Sequence, residues 1–330
     1  MVASLRVVVT DPIVQRLAAD FRAQGPDHEW IFAAGLPAAE QRALAGSCDV
    51  LVCARLSAED AAATSARFVH ITGIGADRVA VHALPAGTVV SRTGHHERSI
   101  AEHVLMVSLA HQRRLFETSS QLRAGSWRTV ATAPDVPMNP TLRDLRFGLV
   151  GFGGINQQVL ALGSALGARS VAVRRNPGTQ VPAGLDWVKS MDALDELLAE
   201  SDVVVLGVPL TGETTGLFGA RELAVMKPGA LLVNVSRGPV VDQEALYQAL
   251  ESGQLGGAAL DVWWDAPSGT TAPESTQRFA QLPQVIATPH NSGHTVDTFA
   301  SRVQQITANI NAFAAGGSPD GQLPAPVLAD

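Results

Sequence analysis

Short apolar runs alternate with helix-like segments along the chain. In the first third, the runs rich in β-branched and aliphatic residues are Leu5–Val9, Trp30–Ala33, Val50–Ala54, Phe68–Thr72 and Thr88–Ser91. Such continuous apolar runs are typical of parallel strands that are buried on both faces. Pro12–Ala23 is the first helix-like segment, with Asp11 as its predicted N-cap and proline at its first position. We therefore expect a parallel sheet with helices on both faces.

A second series of strands with the same pattern follows. Its predicted strands are Phe147–Val150, Val171–Val173, Val203–Val208, Ala230–Val235, Ala258–Val262 and Val285–Ala287. The amphipathic segment Ser99–Leu122 is predicted to be one long helix leading into this series, and Val296–Phe313 a helix that follows it. The Gly/Pro-rich residues 316–330 are expected to be extended. The predicted fold class is α/β, with two doubly wound parallel-sheet domains.

Composition narrows the possible partners and location. The chain has 330 residues, 17% of them charged, and a formal net charge of −7. This length suits two domains, and the negative charge argues against nucleic acid or an anionic membrane surface as a partner. Cys48 and Cys53 are too few for a disulfide framework, so we expect both to be reduced core residues. Because strand Leu5–Val9 begins so near the N-terminus, we expect no signal peptide and a cytoplasmic protein.

A glycine-rich turn is the first candidate for chemistry. Gly151 and Gly153 follow the strand Phe147–Val150 and precede an apolar helix, Ile155–Leu166. This order places backbone N–H groups and a helix N-terminus against a pyrophosphate, as in dinucleotide-binding proteins. Asn156 stands where a third glycine usually lets helix and strand pack closely, so we expect a small local displacement without loss of binding.

The residues after the next strand indicate which dinucleotide binds. An acidic residue at this point normally binds the ribose 2′-hydroxyl of NAD, whereas arginine accommodates the 2′-phosphate of NADP. This chain has Arg174 and Arg175 and no carboxylate there. We therefore predict NADP(H) as the cofactor; the alternative is that the two arginines belong to a solvated turn.

Three polar side chains follow three later strands of the second series: Arg237, Asp261 and His290. Open α/β sheets bind ligands at the carboxyl ends of their strands. Arginine offers a planar fork for a carboxylate, and histidine exchanges a proton near neutral pH. Each residue alone is more often structural, so the prediction of an active site depends on the convergence of all three.

Several longer motifs occur around these residues. They are Gly73–Asp77, Ile100–His103, Pro209–Leu217, Met226–Asp242, Ala259–Val262 and Thr288–Gly293. On these motifs the chain resembles the D-isomer-specific 2-hydroxyacid dehydrogenases over nearly its whole length. The resemblance implies a flavodoxin-like substrate domain of residues 1–98 plus 291–330 and a Rossmann cofactor domain of residues 99–290, with a cleft between them. It also implies a homodimer formed through the cofactor domain.

The resemblance implies roles for individual residues as well. Arg237 would bind the substrate carboxylate, helped by the backbone N–H groups of Ile74 and Gly75. His290 would protonate the carbonyl oxygen, and Asp261 would hold the nicotinamide carboxamide. The remaining cofactor contacts would come from Gly151, Gly153, Gly154, Ile155, Asn156, Arg174, Arg175, Val208, Pro209, Thr214, Val235, Ser236 and Gly293.

Two further side chains are candidates for contact with the substrate. His96, in the charged loop 92–98, and Arg55, after the strand through Val52, would border the substrate and could hold a polar tail; the alternative for the loop is simple solvation. No metal site is expected. His290 and His294 have the spacing of a zinc pair but lack its catalytic glutamate.

One position departs from the family pattern. Where the family has a glutamate that hydrogen-bonds the catalytic histidine, this chain has Ala266. Three explanations remain open. Asp265 could substitute; another group, such as Glu97 or a water, could partner His290; or the reaction could need no proton transfer, as in formate dehydrogenases. The last is disfavoured because those enzymes have an asparagine at the position of His96.

The sequence as a whole predicts an NADPH-dependent enzyme that reduces a small anionic 2-oxo acid to a D-2-hydroxy acid. We expect a pH optimum shifted to lower pH, because the imidazolium lacks its usual anion. Two alternatives remain. One is a non-catalytic NADP(H)-binding sensor resembling a corepressor, and the other is hydride abstraction of the formate-dehydrogenase type.

Overall fold

The structure is a computed structural model and describes residues 3–324. Within this range the chain forms twelve strands, arranged in two parallel sheets, and eleven α-helices. The strands are β1 (Arg6–Val9), β2 (Glu29–Phe32), β3 (Val50–Cys53), β4 (Phe68–Ile71), β5 (Val89–Arg92), β6 (Arg146–Val150), β7 (Arg169–Val173), β8 (Leu185–Lys189), β9 (Val203–Leu206), β10 (Leu231–Asn234), β11 (Gly257–Leu260) and β12 (Val285–Ala287). The helices are α1 (Ala18–Gln24), α2 (Ala38–Ala45), α3 (Ala58–Ala63), α4 (Glu97–Gln112), α5 (Leu115–Arg123), α6 (Gly154–Ala165), α7 (Leu194–Glu200), α8 (Ala220–Val225), α9 (Gln243–Glu251), α10 (Glu274–Phe279) and α11 (Val296–Ala314).

Residues 3–95 and 294–324 form one compact unit. Its parallel sheet has the order β2-β1-β3-β4-β5, which is the flavodoxin-like order. Successive residues of β1 pack into different cores, Val8 on one face and Val7 and Val9 on the other. Such packing explains the uninterrupted apolar runs of the sequence.

The chain after α11 lies along the edge of this sheet. The Leu323 N–H donates to the Val90 carbonyl over 2.9 Å, and Gln322 forms an antiparallel bridge with Ser91. The predicted extended tail of residues 316–330 is thus described as far as residue 324. Its last six residues lie outside the described range.

The two cysteines are buried and unbridged in the same unit, as predicted. Burial raises the pKa of the Cys48 thiol to about 11 and that of the Cys53 thiol to about 12. Both therefore stay protonated near neutral pH, and their role is packing.

Residues 96–293 form the second compact unit. Its parallel sheet has the order β12-β11-β10-β9-β6-β7-β8, which is the Rossmann arrangement with one additional strand beside β11. The chain order reverses between β6 and β9, and open α/β sheets bind ligands outside the carboxyl ends of the strands at such a reversal. The prediction of two doubly wound parallel-sheet domains is confirmed. The division of function between the units stays a prediction; the sequence placed the boundaries after residues 98 and 290.

Two sequence predictions in this region are wrong. The predicted long helix Ser99–Leu122 is two helices, α4 and α5, separated at Arg114, which has a left-handed backbone with φ of 49°. The predicted list of strands omitted β8, a short edge strand that pairs only with β7 among the described strands.

The first predicted helix, Pro12–Ala23, is also divided, into a 3₁₀ turn at Val14–Leu17 followed by α1. The N-cap of this turn is Ile13 and not the predicted Asp11, whose carboxylate accepts the Ile13 N–H over 2.7 Å. None of the helices in residues 3–324 has both the length and the apolar composition that crossing a membrane requires.

Candidate active site

The glycine turn after β6 leads directly into the N-terminus of α6. Gly151 has φ of 80°, and a Cβ there would lie 2.8 Å from the Gly207 carbonyl oxygen, so both backbone and space require glycine. At Gly153, by contrast, a Cβ would meet nothing within 4 Å. Gly153 is the N-cap of α6, whose first N–H groups lack intrahelical partners and carry the positive end of the helix dipole. Helix N-termini with such N–H groups bind anionic groups in many proteins, and the binding of a pyrophosphate at this one stays a prediction.

Asn156 is accommodated by a glycine on the neighbouring strand. It is 1% exposed, and its Nδ2 donates to the Gly151 carbonyl over 2.6 Å. A Cβ on Gly207, which follows β9, would lie only 2.6 Å from that Nδ2. The absence of a side chain at position 207 therefore reduces the displacement that the larger residue requires. Sequence reasoning did not identify Gly207.

Arg174 and Arg175 lie beside the glycine turn. In the pairing of β6 with β7, Val150 is opposite Val173, and the Gly151 N–H donates to the Val173 carbonyl over 2.8 Å. Arg175 forms an exposed ion pair with Glu213 over 2.8 Å. The half-buried Arg174 side chain makes no hydrogen bond or ion pair with any residue from 3 to 324.

The loop after β9 packs against the same turn. Val208 of this loop is next to the glycine turn: a Cβ on Gly151 would lie 2.8 Å from the Val208 Cγ1. Thr214 closes the loop: its hydroxyl donates to the Pro209 carbonyl over 2.6 Å and accepts from the Thr211 N–H over 2.8 Å. The predicted contacts Val208, Pro209 and Thr214 are therefore on one loop beside the glycine turn.

The start of α4 also reaches this region of the unit. The Glu97 Cγ would lie 2.7 Å from a Cβ on Gly154, and the His96 Cβ would lie 3.2 Å from a Cβ on Gly293. Glu97 is thus placed at the first residue of α6, and His96 beside the end of the loop that carries His290. Ile155, the next residue of α6, packs against the core.

Arg237, Asp261 and His290 follow three adjacent strands. In the sheet, Asn234 of β10 is opposite Leu260 of β11, and Leu260 is opposite Ala287 of β12. The carboxyl ends of these strands are therefore level. The predicted convergence of the three polar residues at one edge of one sheet agrees with this register, while the direction of their side chains toward a common ligand stays a prediction.

A buried amide shapes the turn that carries Arg237. Asn234 is fully buried, and its Oδ1 accepts from the Ser236 N–H over 3.0 Å while its Nδ2 donates to the Arg237 carbonyl over 3.0 Å. Arg237 also donates from Nη1 to the Ser236 carbonyl over 2.8 Å. Val235, which lies between Asn234 and Ser236 in the sequence, is buried. Sequence reasoning missed Asn234, although a single amide in an otherwise apolar strand was a signal for it.

Asp261 is at the centre of a hydrogen-bond cluster with the residues around His290. It is 1% exposed, and one oxygen accepts from the Thr288 hydroxyl over 2.6 Å and the Asn291 N–H over 2.9 Å. The other oxygen accepts from the Ser292 N–H over 3.0 Å and from the Ser292 hydroxyl. Sequence reasoning did not predict this cluster.

The Asp261 carboxylate interacts electrostatically with the His103 imidazole of α4. Burial lowers the pKa of the His103 imidazole, and the nearby Asp261 carboxylate opposes that change. A neutral imidazole is therefore favoured at this position near neutral pH. The indication of this contact in the sequence was a histidine in α4, a helix that packs against the sheet.

Asp265, one candidate to replace the missing glutamate at Ala266, has other hydrogen-bond partners. Its carboxylate accepts from the Ser275 hydroxyl and, over 3.3 Å, from the Ser275 N–H near the start of α10. Burial alone would raise the pKa of Asp265, but these hydrogen bonds outweigh it and lower the pKa. Both oxygens of Asp265 are engaged by Ser275, which weakens the case for Asp265 as a partner of His290.

The predicted substrate contacts Ile74, Gly75 and Arg55 lie in the other unit. Ile74, which is 40% exposed, and Gly75 lie in the bend after β4, and the Ile74 carbonyl accepts from Arg92 over 3.1 Å. Arg55 is exposed after β3. Their proximity to Arg237 stays a prediction.

Comparison with known proteins identifies the family. Residues 105–292, more than half of the chain, match the family model described as D-isomer specific 2-hydroxyacid dehydrogenase, NAD binding domain. Glyoxylate reductase of Thermococcus gammatolerans is 35% identical over 258 residues, covering 77% of this chain and 75% of that protein. Glyoxylate reductase of Korarchaeum cryptofilum is 33% identical over 281 residues, covering 82% and 81%.

Solved structures agree with this result. The crystal structure of the TT0316 protein from Thermus thermophilus has a TM-score of 0.80 and 31% identity, covering 97% of this chain and 100% of that one. The chain therefore belongs to the D-isomer-specific 2-hydroxyacid dehydrogenases, a family of oxidoreductases, and contains its nicotinamide dinucleotide-binding domain. The resemblance inferred from the motifs is confirmed.

Proposed function

We propose that this protein reduces a small anionic 2-oxo acid to a D-2-hydroxy acid with NADPH. The observation that carries the proposal is the level placement of Arg237, Asp261 and His290 at the ends of β10, β11 and β12, in the sheet that bears the glycine turn. The relatives named glyoxylate reductase, whose substrate is a 2-oxo acid by that name, support the same reaction class.

Arg237 is proposed to bind the substrate carboxylate. Its guanidinium can make two parallel hydrogen bonds to a carboxylate, which fix the orientation of the carbonyl carbon beside it. The N–H groups of Ile74 and Gly75 are proposed to complete this contact. His96 and Arg55 are proposed to contact the remainder of the substrate, where a polar tail would lie.

His290 is proposed to transfer the proton. When bound, NADPH would supply a hydride to the carbonyl carbon. The imidazolium Nε2–H or Nδ1–H of His290 would donate the proton to the carbonyl oxygen, so the product is the neutral hydroxyl. General acid catalysis of this kind contributes about 10²- to 10⁴-fold to the rate. In the reverse direction the same imidazole accepts the hydroxyl proton.

NADP(H) is proposed as the cofactor because of Arg174 and Arg175. The two guanidinium groups follow β7 next to the glycine turn, where a 2′-phosphate would lie, and the only partner of Arg175 among the described residues is the exposed Glu213. The proposed cofactor contacts at the glycine turn are Gly151, Gly153, Gly154, Ile155 and Asn156. Those on the other loops are Val208, Pro209, Thr214, Val235, Ser236 and Gly293.

A homodimer through the cofactor-binding unit is also proposed. Large apolar side chains are exposed along residues 106–138, among them Phe116 at 60% and Trp127 at 71%. Leu115 and Phe116 line a surface groove of α5. Exposed apolar surface of this extent typically marks a protein–protein contact.

The reaction can be tested by following the loss of NADPH absorbance with glyoxylate, hydroxypyruvate, pyruvate and bulkier 2-oxo acids. We expect turnover of at least one small acid, and we expect the hydroxypyruvate product to have the D configuration. Glycolate, the product from glyoxylate, has no stereocentre and cannot report it. NADPH binding without turnover of every acid would instead favour the sensor.

Two variants assign the roles. Arg237→Lys keeps the charge and removes the fork, so KM for the 2-oxo acid should rise about 10- to 100-fold, the cost of hydrogen bonds to a charged group.

His290→Gln keeps hydrogen bonding and removes the acid, so kcat should fall about 10²-fold or more. NADPH binding, followed by fluorescence, should remain in both. Wild-type kcat in His290→Gln would exclude the proposed role of His290.

A further inference from the structure

The segment that carries His290 has an unfavourable backbone conformation. His290 has φ of 57°, in the left-handed region that residues with a Cβ rarely occupy. Such a conformation persists when surrounding contacts over-determine it. The contacts that hold the segment Thr288–Ser292 should therefore also fix the position of the imidazole.

Asp261 supplies most of these contacts, from both sides of His290. It accepts one hydrogen bond from Thr288, two residues before His290, and three from Asn291 and Ser292, which follow it. A carboxylate has about four acceptor positions. The segment therefore uses the hydrogen-bonding capacity of Asp261 almost completely, and little remains for the amide of a nicotinamide.

Trp263 holds the same segment at a second point. Its indole N–H donates to the Thr288 carbonyl over 3.0 Å. Its backbone lies against the turn after Arg237, since a Cβ on Gly238 would be 2.3 Å from the Trp263 carbonyl carbon. Residues 261–263 thus contact both the turn that follows Arg237 and the segment that bears His290.

We propose that Asp261 is a positioning residue for His290, and that Asp261 and Trp263 together fix the Thr288–Ser292 segment. In this chain they would perform the orienting work that a glutamate performs where the family has one and this chain has Ala266. The inference rests on the proposed function, because it assumes that His290 acts on the substrate. It replaces the role of carboxamide holder that the family resemblance implies for Asp261.

The test separates turnover from cofactor binding. Asp261→Asn keeps the size of the side chain but replaces one acceptor oxygen with an NH₂ group. That group cannot accept the two hydrogen bonds that the oxygen accepts in the wild type. We expect kcat to fall about 10- to 100-fold, because a displacement of about 1 Å of a catalytic group can cost about 10²-fold. The Kd for NADPH should change less than threefold, and the Asn291 and Ser292 amides should exchange hydrogen faster.

A second variant acts on the same segment through a different residue. Trp263→Phe removes the N–H to Thr288 without altering Asp261, and a smaller fall in kcat with unchanged NADPH binding is expected. Asp192→Asn makes the same chemical change at an exposed carboxylate of the same unit and is the matched control, with kcat near wild type. Circular dichroism of each variant confirms that it is folded; if Asp261→Asn does not fold, Trp263→Phe and Ser292→Ala carry the test.

The opposite result is equally specific. If Asp261→Asn raises the Kd for NADPH more than tenfold while kcat at saturation and the two amide exchange rates stay at wild-type values, Asp261 holds the cofactor and the inference is wrong. His290→Gln with full activity would remove the proposed function instead. The exchange rates would still report whether Asp261 fixes the segment.

Discussion

At the end of β7, Arg174 and Arg175 have different surroundings. Arg175 is paired with Glu213, and both side chains are more than 70% exposed. An exposed pair of this kind contributes about 0–1 kcal/mol, so a phosphate dianion can replace the carboxylate at little cost. Arg174 has no such partner among residues 3–324, so its guanidinium can bind a 2′-phosphate without first breaking an ion pair.

Arg174→Ala should therefore weaken NADPH binding more than Arg175→Ala does. We expect about a tenfold increase in KM for NADPH with Arg174→Ala, the value of a hydrogen bond to a charged group, and still more with both changes. KM for NADH should stay within twofold. Arg169→Ala is the control, because it removes the same charge at the amino end of β7. Equal effects on NADPH and NADH would exclude a 2′-phosphate site here.

The sequence proposes individual residues where the residue type alone indicates a chemistry. The positive φ expected at Gly151 is observed, while the roles of Arg237 as a carboxylate fork and of His290 as a proton donor stay predictions. The accommodation of Asn156 by Gly207 and the bonds of Asp261 to Thr288 and Ser292 join segments far apart in sequence. No local pattern reports such pairs, so they required coordinates.

At the scale of elements, the break between α4 and α5 shows a limit of periodicity. The apolar spacing continues through Arg113 and Arg114, so the sequence favours one helix. In the structure Arg114 is left-handed, and its guanidinium makes two hydrogen bonds to Glu117, at 2.8 and 2.5 Å. None of the residues of α5 is buried, and its apolar residues Leu115, Phe116 and Leu122 are exposed.

These exposed residues lead to a prediction about assembly. Phe116→Asp together with Trp127→Asp should convert the proposed dimer into a monomer, because a buried unpaired carboxylate costs several kcal/mol. Sedimentation velocity across a range of concentrations measures the change. Val181→Asp, at an exposed valine of the same unit outside residues 106–138, is the control and should remain dimeric. A monomeric wild type, or a double variant that is still dimeric, would contradict the proposal.

At the scale of the whole molecule, parallel strands explain why the fold could be predicted. Every strand of both sheets is buried on two faces or lies at an edge, and eleven of the twelve runs were visible as apolar segments. The exception, β8, is Leu-Asp-Trp-Val-Lys, a half-polar edge strand with a register shift against β7. Polar contacts between segments far apart in sequence also hold each unit together. Such contacts are harder to predict from the sequence than the apolar strands.

One such contact joins the end of the described chain to the five-stranded sheet. His70 in β4 is fully buried, its Nδ1 lies 3.1 Å from the Ile71 carbonyl, and its Nε2 lies 3.0 Å from the Asn309 Nδ2. The Asn309 amide is oriented by Asp320, whose N–H donates to Oδ1 and whose carbonyl accepts from Nδ2. Since Nδ2 is a donor, His70 must accept at Nε2 and is neutral.

This arrangement makes stability depend on pH. Burial lowers the pKa of His70 from 6.5 to about 4, with a smaller opposing contribution from the Ile71 carbonyl. Between these values the unfolded chain binds a proton that the folded chain does not, so the free energy of unfolding falls as the pH decreases from about 6.5 to about 4. At about 1.4 kcal/mol per unit, the loss approaches about 3 kcal/mol. Urea unfolding at pH 7.5, 6, 5 and 4, with exchange of the Asp320 amide as the local probe, measures it.

His70→Gln separates this contribution from those of the other buried histidines. The variant should be less stable than wild type at pH 7.5, because glutamine cannot reproduce both hydrogen bonds in the same space. Its further loss of stability toward pH 4 should be smaller, since position 70 no longer takes up a proton on unfolding. The difference between the two proteins should therefore narrow as the pH falls. Parallel pH profiles would show that His70 has the same proton affinity in the folded and unfolded chains, and that the contact between His70 and Asn309 does not hold the imidazole neutral.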